Sequence, residues 1–218
     1  NGNNTKVTDY LGNETTYIYD SLDRLIESKD AYSNVIEKLE YDIYGRQTKS
    51  IDANNNEIVY TYDNNDNILT KTDEEGNTES YEYDSNDNKV KYTDRKGNIT
   101  TYQYDNKGNL LKVVNALNKA TTYTYDNAGN ILTQTDPKGN VITYEYDKRS
   151  NEIKKIDQLG NEETKTYSKN GNLVSYTTNN GDVFTYEYDV YGRLTKESVN
   201  DKQTIYAYDD NDNILQSG

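Results

Sequence analysis

The side chains that type and spacing single out for chemistry are carboxylates and phenols. An Asp follows a Tyr at Tyr19-Asp20, Tyr41-Asp42, Tyr62-Asp63, Tyr83-Asp84, Tyr104-Asp105, Tyr125-Asp126, Tyr146-Asp147, Tyr188-Asp189 and Tyr208-Asp209. Asp-rich loops such as Asp63-Asn64-Asn65-Asp66-Asn67 and Asp209-Asp210-Asn211-Asp212-Asn213 extend the pattern. Alternating carboxylates are what a calcium loop offers, but these loops lack the Gly at the sharp turn and the closing bidentate Glu. Acid/base catalysis fares no better. The same Asp in many copies builds no unique pocket, and the chain has no His to act as base and no Cys to act as nucleophile or thiolate ligand. Turn capping is the role that repeats naturally, because the carboxylate of an Asx-turn accepts nearby backbone N–H bonds. No catalytic residue, metal or cofactor is expected, and the chain reads as non-enzymatic.

What positions these residues is a repeat. The Tyr-Asp steps lie 21 residues apart, except for 22 between Tyr19 and Tyr41 and 20 between Tyr188 and Tyr208, and the missing member falls in register as Tyr167-Ser168. A fixed period of this length signals a repeat architecture. Before each Tyr-Asp, the pattern Thr-x-Tyr-x-Tyr, as in Thr121, Tyr123 and Tyr125, alternates along a strand. Each Asp-x-x-Gly-Asn segment then reads as a turn. The turn glycines are Gly12, Gly45, Gly76, Gly97, Gly108, Gly129, Gly139, Gly160, Gly171, Gly181 and Gly192, with Asp23, Ser33, Asn55, Asp66, Asp87, Ser150 and Asp212 standing in where Gly is absent. Two turns per period give two strands, so one repeat is one β-hairpin. The extra residue between Asn34 and Tyr41 suits a β-bulge, and the missing one before Lys202 suits a shorter turn at Asn200-Asp201.

In the second strand of each repeat, Ile26, Leu69, Val90, Leu111, Leu132, Ile153, Val174 and Leu215 share one phase, broken by Thr48 and Thr195. The adjacent phase mixes Leu25, Ile68, Leu110 and Ile131 with Gln47, Lys89 and Glu152. The apolar phase is therefore expected to be the more covered one. One hairpin cannot stand alone: ordering it costs on the order of 30 kcal/mol, and its few tyrosines and aliphatics return roughly 10 to 15. The partners first required are the neighbouring repeats. The predicted fold is all-β, a single array of about ten hairpin repeats over residues 1–218 in a long antiparallel sheet that coils by its own twist into part of a spiral shell or β-solenoid. Thr5 to Asp9 reads as the second half of a repeat and Ile214-Leu215 breaks off inside one, so a segment of a longer array is expected.

A formal charge of −14 with singly scattered Lys and Arg argues against nucleic acid and an anionic membrane. No apolar run approaches the ~20 residues of a membrane-spanning helix. Tyrosine supplies 24 residues at fixed phase, which is not a disordered composition. Tyrosine faces also stack on sugars, and the off-pattern Tyr10, Tyr32, Tyr44, Tyr92, Tyr176 and Tyr191 are the glycan candidates, set against a packing role for the tyrosine rows themselves.

The iterated Tyr-Asp-x-x-Gly-Asn-Leu, and its variant Tyr188-Asp189-Val190-Tyr191-Gly192-Arg193-Leu194, resemble the YD repeats of the RHS family over nearly the whole chain. That resemblance implies a secreted or cell-surface protein whose repeats build a hollow β-sheet shell, enclosing a toxic C-terminal segment in bacterial toxins. The family's autoproteolytic Asp-Pro core motif and any toxin domain are absent from these residues. Two roles follow: a shell wall around a toxin or other cargo, or an extracellular adhesive or filament-forming array of like copies.

Overall fold

The computed structural model describes residues 2–200, 202–209 and 211–217. It contains β-strands and turns and, among the described residues, no helix. The chain divides into two compact units, residues 1–103 with 114–118 and residues 104–113 with 119–218.

The first unit carries β1 (Lys6–Thr8), β2 (Glu14–Tyr19), β3 (Leu25–Lys29), β4 (Val35–Tyr41), β5 (Gln47–Asp52), β6 (Glu57–Tyr62), β7 (Ile68–Asp73), β8 (Thr78–Tyr83), β9 (Lys89–Thr93) and most of β10 (Ile99–Tyr104). Each pairs antiparallel with the next. The second unit carries most of β11 (Leu110–Val114), then β12 (Ala120–Tyr125), β13 (Ile131–Thr135), β14 (Val141–Tyr146), β15 (Glu152–Ile156), β16 (Glu162–Tyr167), β17 (Leu173–Thr177), β18 (Val183–Tyr188), β19 (Leu194–Val199), β20 (Lys202–Tyr208) and β21 (Ile214–Ser217). From β12 onward it is the same meander. Two strands per period is the architecture that the two-turn pattern predicts.

The turns share one geometry. At Asp126 the residue's own N–H donates to Asn130 O at 2.9 Å and Gly129 N–H donates back to Asp126 O at 3.2 Å. The fourth residue of the turn must take a left-handed backbone conformation, and Gly129 does so at φ 90°. Where glycine is missing, Asp23, Ser33, Asn55, Asp66, Asp87, Ser150 and Asp212 take φ between 62° and 68°, and Asn118 does the same at 56°. Short polar side chains tolerate this region by bonding locally. Val199 pairs directly with Lys202, so the short hairpin turn has two residues; Asn200 has φ 45° and Asp201 lies outside the described residues.

Bulges are far commoner than the sequence suggests. The expected one is present, with Ser28 opposite Glu37 and Lys29 opposite Val35, so that Ile36 is the extra residue. In addition, nine hairpins that follow a Tyr skip one residue in their pairing: Tyr19 lies opposite Leu25 and Ile18 opposite Glu27, leaving out Ile26, and the same skip leaves out Thr48, Leu69, Val90, Leu132, Ile153, Val174, Thr195 and Leu215. The aliphatic phase is therefore the row of bulged residues. The expectation that it is the more covered phase is corrected: Leu111, Leu132 and Val174 are more than a third exposed beside half-buried Leu110, Ile131 and Leu173, and Ile26, Leu69, Val90 and Ile153 are half-buried just as their neighbours Leu25, Ile68, Lys89 and Glu152 are. A bulge locally reverses which side a residue faces, so strict alternation fails there.

No hydrophobic side chain is buried among the described residues, and the one buried polar residue is Ser28. From β1 to β9, and again from β12 to β21, each strand packs against its sequence neighbours. Stability must come from many half-covered rows and from the turns, which makes turn geometry costly to disturb. Gly129→Ala is expected to cost about 1–2 kcal/mol, since a residue with a Cβ is strained at φ 90°. Thermal scans should show the midpoint lowered by roughly 2–8 °C, and Ser33→Gly, at the equivalent turn position, should not lower it.

Candidate functional site

The repeated Tyr-Asp turn is the constellation with the densest polar geometry. The Asp126 carboxylate accepts three bonds: Oδ1 from Ala128 N at 2.8 Å and from Asn130 N at 2.9 Å, and Oδ2 from Asn130 Nδ2 at 2.8 Å. The same set recurs at Asp63, Asp105, Asp147 and Asp209. Asp84 has the set too, and the third bond is longest at Asp63 and Asp84, where the Asn Nδ2 lies 3.1 and 3.0 Å from Oδ2. The opposite row of turns repeats it at Asp9, Asp52, Asp94, Asp136 and Asp157, where the sequence carries the same Asp-led turn pattern. At Asp20, Asp42 and Asp189 an arginine replaces the asparagine, and its Nε bonds Oδ2 at 2.7 Å.

These bonds favour the ionised carboxylate. At Asp52, Asp94, Asp105, Asp126, Asp147, Asp157 and Asp209 the Asn amide four residues on is the largest cause holding the carboxyl below its usual value, and the Asn backbone N–H adds to it.

The tyrosine of each pair acts backwards along the chain. Tyr41 Oη donates to Leu25 O at 2.8 Å, Tyr62 to Gln47 O at 2.6 Å, Tyr83 to Ile68 O at 3.1 Å, Tyr125 to Leu110 O at 2.8 Å and Tyr208 to Leu194 O at 2.7 Å. Leu25, Gln47, Ile68 and Leu194 each lie opposite the preceding repeat's Tyr, beside its bulged residue. Tyr167, which lacks the Asp, still donates to Glu152 O at 3.0 Å, and Tyr19 donates to Asn4 O at 3.2 Å. Tyr146 and Tyr188 occupy the same register, and burial raises the pKa of their phenols, as it does at Tyr41, Tyr62, Tyr83 and Tyr125. Tyr104 also makes contacts at its place at the end of β10.

The residue after the turn acts forwards. Arg24 reaches Asp42 O at 3.1 Å and lies 4.7 Å over the Tyr41 ring. Arg46 reaches Asp63 O at 2.8 Å and Asp66 Oδ1 at 3.1 Å, and lies 5.0 Å over Tyr62. Arg193 bonds Asp212 Oδ1 at 2.7 Å and lies 4.8 Å over Tyr208. Asn67 and Asn130 make shorter reaches, to Asp87 Oδ1 and Ser150 Oγ.

The glycan candidates do not form one row. Tyr10, Tyr32, Tyr44 and Tyr191 project from turns, 77–94% exposed, whereas Tyr92 and Tyr176 lie within strands, their rings against Tyr81 and Phe184. No cluster of three or more His, Cys, Asp or Glu suited to a metal is found among the described residues. The loop at Asp63 is saturated by its own donors; the loop at Asp209 contains Asp210, which is outside the described residues. An acidic groove lined by Asp52, Glu57, Asp73, Glu74 and Glu75 already contains Arg95, paired to Asp73 at 3.1 Å.

A family model described as RHS Repeat matches residues 1–35, 41–78, 62–99, 83–117, 104–141, 125–162 and 167–201. No curated protein matches. Among solved structures, the crystal structure of TcdB2-TccC3-Cdc42 is similar at TM-score 0.66 and 18% identity, covering 93% of this chain and 14% of that one. TcdB2-TccC3 without its hypervariable C-terminal region gives 0.67 and 18%, covering 96% and 14%. At that identity the likeness is one of fold, and the chain spans about a seventh of the length of those proteins.

Two outcomes follow from the saturated caps. Since the Asp pKa values are depressed on folding, their stabilisation is complete above the unfolded value near 3.8 and is lost as pH falls through the lower folded values. Melting midpoints should be nearly flat from pH 7 to about 5 and fall below about pH 4. EDTA at neutral pH should leave the midpoint unchanged; a large loss would mean that a cation occupies the Asp loops.

Proposed function

The chain belongs to the RHS repeat family, and from that premise we propose that it is a non-catalytic wall segment of a secreted or cell-surface protein, one stretch of a single repeat array whose sheet encloses a toxin or other cargo. The observation that carries this reading is the two-way coupling of each repeat. Tyrosines such as Tyr41 and Tyr62 bond the repeat before, and Arg24, Arg46, Asn67, Asn130 and Arg193 reach the repeat after. Such a unit extends a wall indefinitely and forms no closed pocket for chemistry. The partners are neighbouring repeats and an enclosed polypeptide segment.

A second reading, an adhesive or filament-forming array with glycan binding as one mode, rests on the apolar turn tips. Tyr10, Tyr32, Ile43, Tyr44, Val190 and Tyr191 are 77–94% exposed, and rigid exposed tyrosines are the usual anchors of recognition surfaces.

Electron microscopy of the full-length protein separates the two. A closed particle with polypeptide density inside supports the wall. A sheet closed tightly on itself, with an interior too narrow for a polypeptide, rules out encapsulation and leaves the surface array.

A further inference from the structure

Tyr81 and Tyr92 lie directly opposite each other on β8 and β9. Their ring centroids are 5.3 Å apart, tilted by 33°. Both are half-buried and not sealed from solvent. Tyr81 Oη donates to Glu79 Oε2 at 2.9 Å, and the other oxygen of that carboxylate is held by Arg95 Nε at 3.3 Å. Lys71 and Lys89 stand 5.9 Å over the Tyr81 ring, and Lys89 stands 5.8 Å over Tyr92.

We propose that Tyr81 and Tyr92 are an oxidative modification site, at which a peroxidase using hydrogen peroxide couples the two phenols into an intramolecular dityrosine. Each phenol gives up one electron and its hydroxyl proton. The two radicals join by a carbon–carbon bond between positions ortho to the oxygens, and the ring hydrogens there shift to the oxygens, restoring two phenols. One hydrogen peroxide takes up both electrons and both protons and leaves as two waters.

Three features suit the pair to this step. The strand register holds the rings beside each other, with 5.3 Å between centroids, so the two radicals form next to one another. The lysine ammoniums oppose positive charge on the rings, so electron loss must be accompanied by proton loss, and the Glu79 carboxylate is already in place to take the proton from Tyr81. The chain has no cysteine, so an oxidising exterior offers it no disulfide by which to fasten neighbouring strands. The second unit supplies a natural contrast: Tyr176 meets Phe184 across β17 and β18 at 5.8 Å, a similar stack that lacks the second phenol.

The test is treatment of the dilute full chain with horseradish peroxidase and hydrogen peroxide. Dityrosine fluorescence should appear in protein that remains monomeric on a denaturing gel, and peptide mapping should join the segments containing Tyr81 and Tyr92. Tyr92→Phe should abolish that peptide with the β-sheet circular dichroism unchanged, and Glu79→Gln should slow its formation severalfold. Phe184→Tyr should add a second cross-linked peptide, between β17 and β18. Cross-links found only between molecules or among other tyrosines, or the same fluorescence yield in Tyr92→Phe, would overturn the proposal. An unchanged rate in Glu79→Gln would overturn the role given to that carboxylate.

Discussion

Everything in this chain depends on a carboxylate satisfying the backbone of a five-residue turn. A meander this dense changes direction about every ten residues, and each reversal leaves N–H groups that no strand can reach. Asp126 collects two of them and the amide of Asn130 on one side chain. The bonds are charge-assisted and therefore stronger than neutral ones. They also lie at the exposed rim, where the carboxylate keeps part of its hydration and avoids the penalty of burial. With no buried hydrophobic side chain among its described residues, the chain needs its reversals fixed locally, because no core will select one turn geometry over another.

The tyrosine extends that local order from one repeat to the next. Its hydroxyl binds a carbonyl beside the preceding bulge, so the irregularity in one hairpin becomes the docking point for its neighbour. The ring meanwhile lies under the arginine of the preceding turn where one is present, at Tyr41, Tyr62 and Tyr208. Phenol, guanidinium and carboxylate thus form a chain of contacts from turn to turn. Nearest-neighbour terms of this kind dominate the stability of repeat proteins.

Turns and strands were legible in the sequence because they depend on residue type at a fixed place. Asp at the first position, Gly or a short polar residue at the fourth, and alternation between turns suffice to read them, down to the left-handed Ser33 and Ser150. The bulges opposite Tyr19, Tyr62 and Tyr146 were not legible, since a bulge is a relation between two strands. Alternation read along one strand therefore assigned Leu132 and Val174 to the wrong degree of cover. The forward reach of Arg46 and the backward bond of Tyr62 were equally hidden, because each needs a partner 15 or more residues away. The caps at Asp73 and Asp94 were legible for the same reason as the one at Asp105, since the Asp-x-x-Gly-Asn pattern recurs there.

The departures from the rule show how it is enforced. Ser168 and Thr178 replace the Asp at the two ends of β17, and each hydroxyl accepts a single backbone bond, from Asn172 N at 3.2 Å and Asp182 N at 3.1 Å. Both of these turns keep glycine, at Gly171 and Gly181, so the backbone conformation costs little where the cap is weak. Conversely, the turns that place Asp23, Ser33, Asn55, Asp66, Asp87, Ser150 or Asp212 at the strained position all begin with Asp. The turn from Asn115 to Asn118 uses asparagine for both, the next-best residue at each place, and its Asn115 Oδ1 still accepts from Leu117 N at 3.0 Å. Around Ser168 a neighbour adds support: Arg149 donates to Ser168 O at 2.7 Å and also bonds Lys169 O. Cap strength and backbone freedom are therefore exchangeable within one turn. That exchange lets individual copies diverge in sequence while the register of the array is kept.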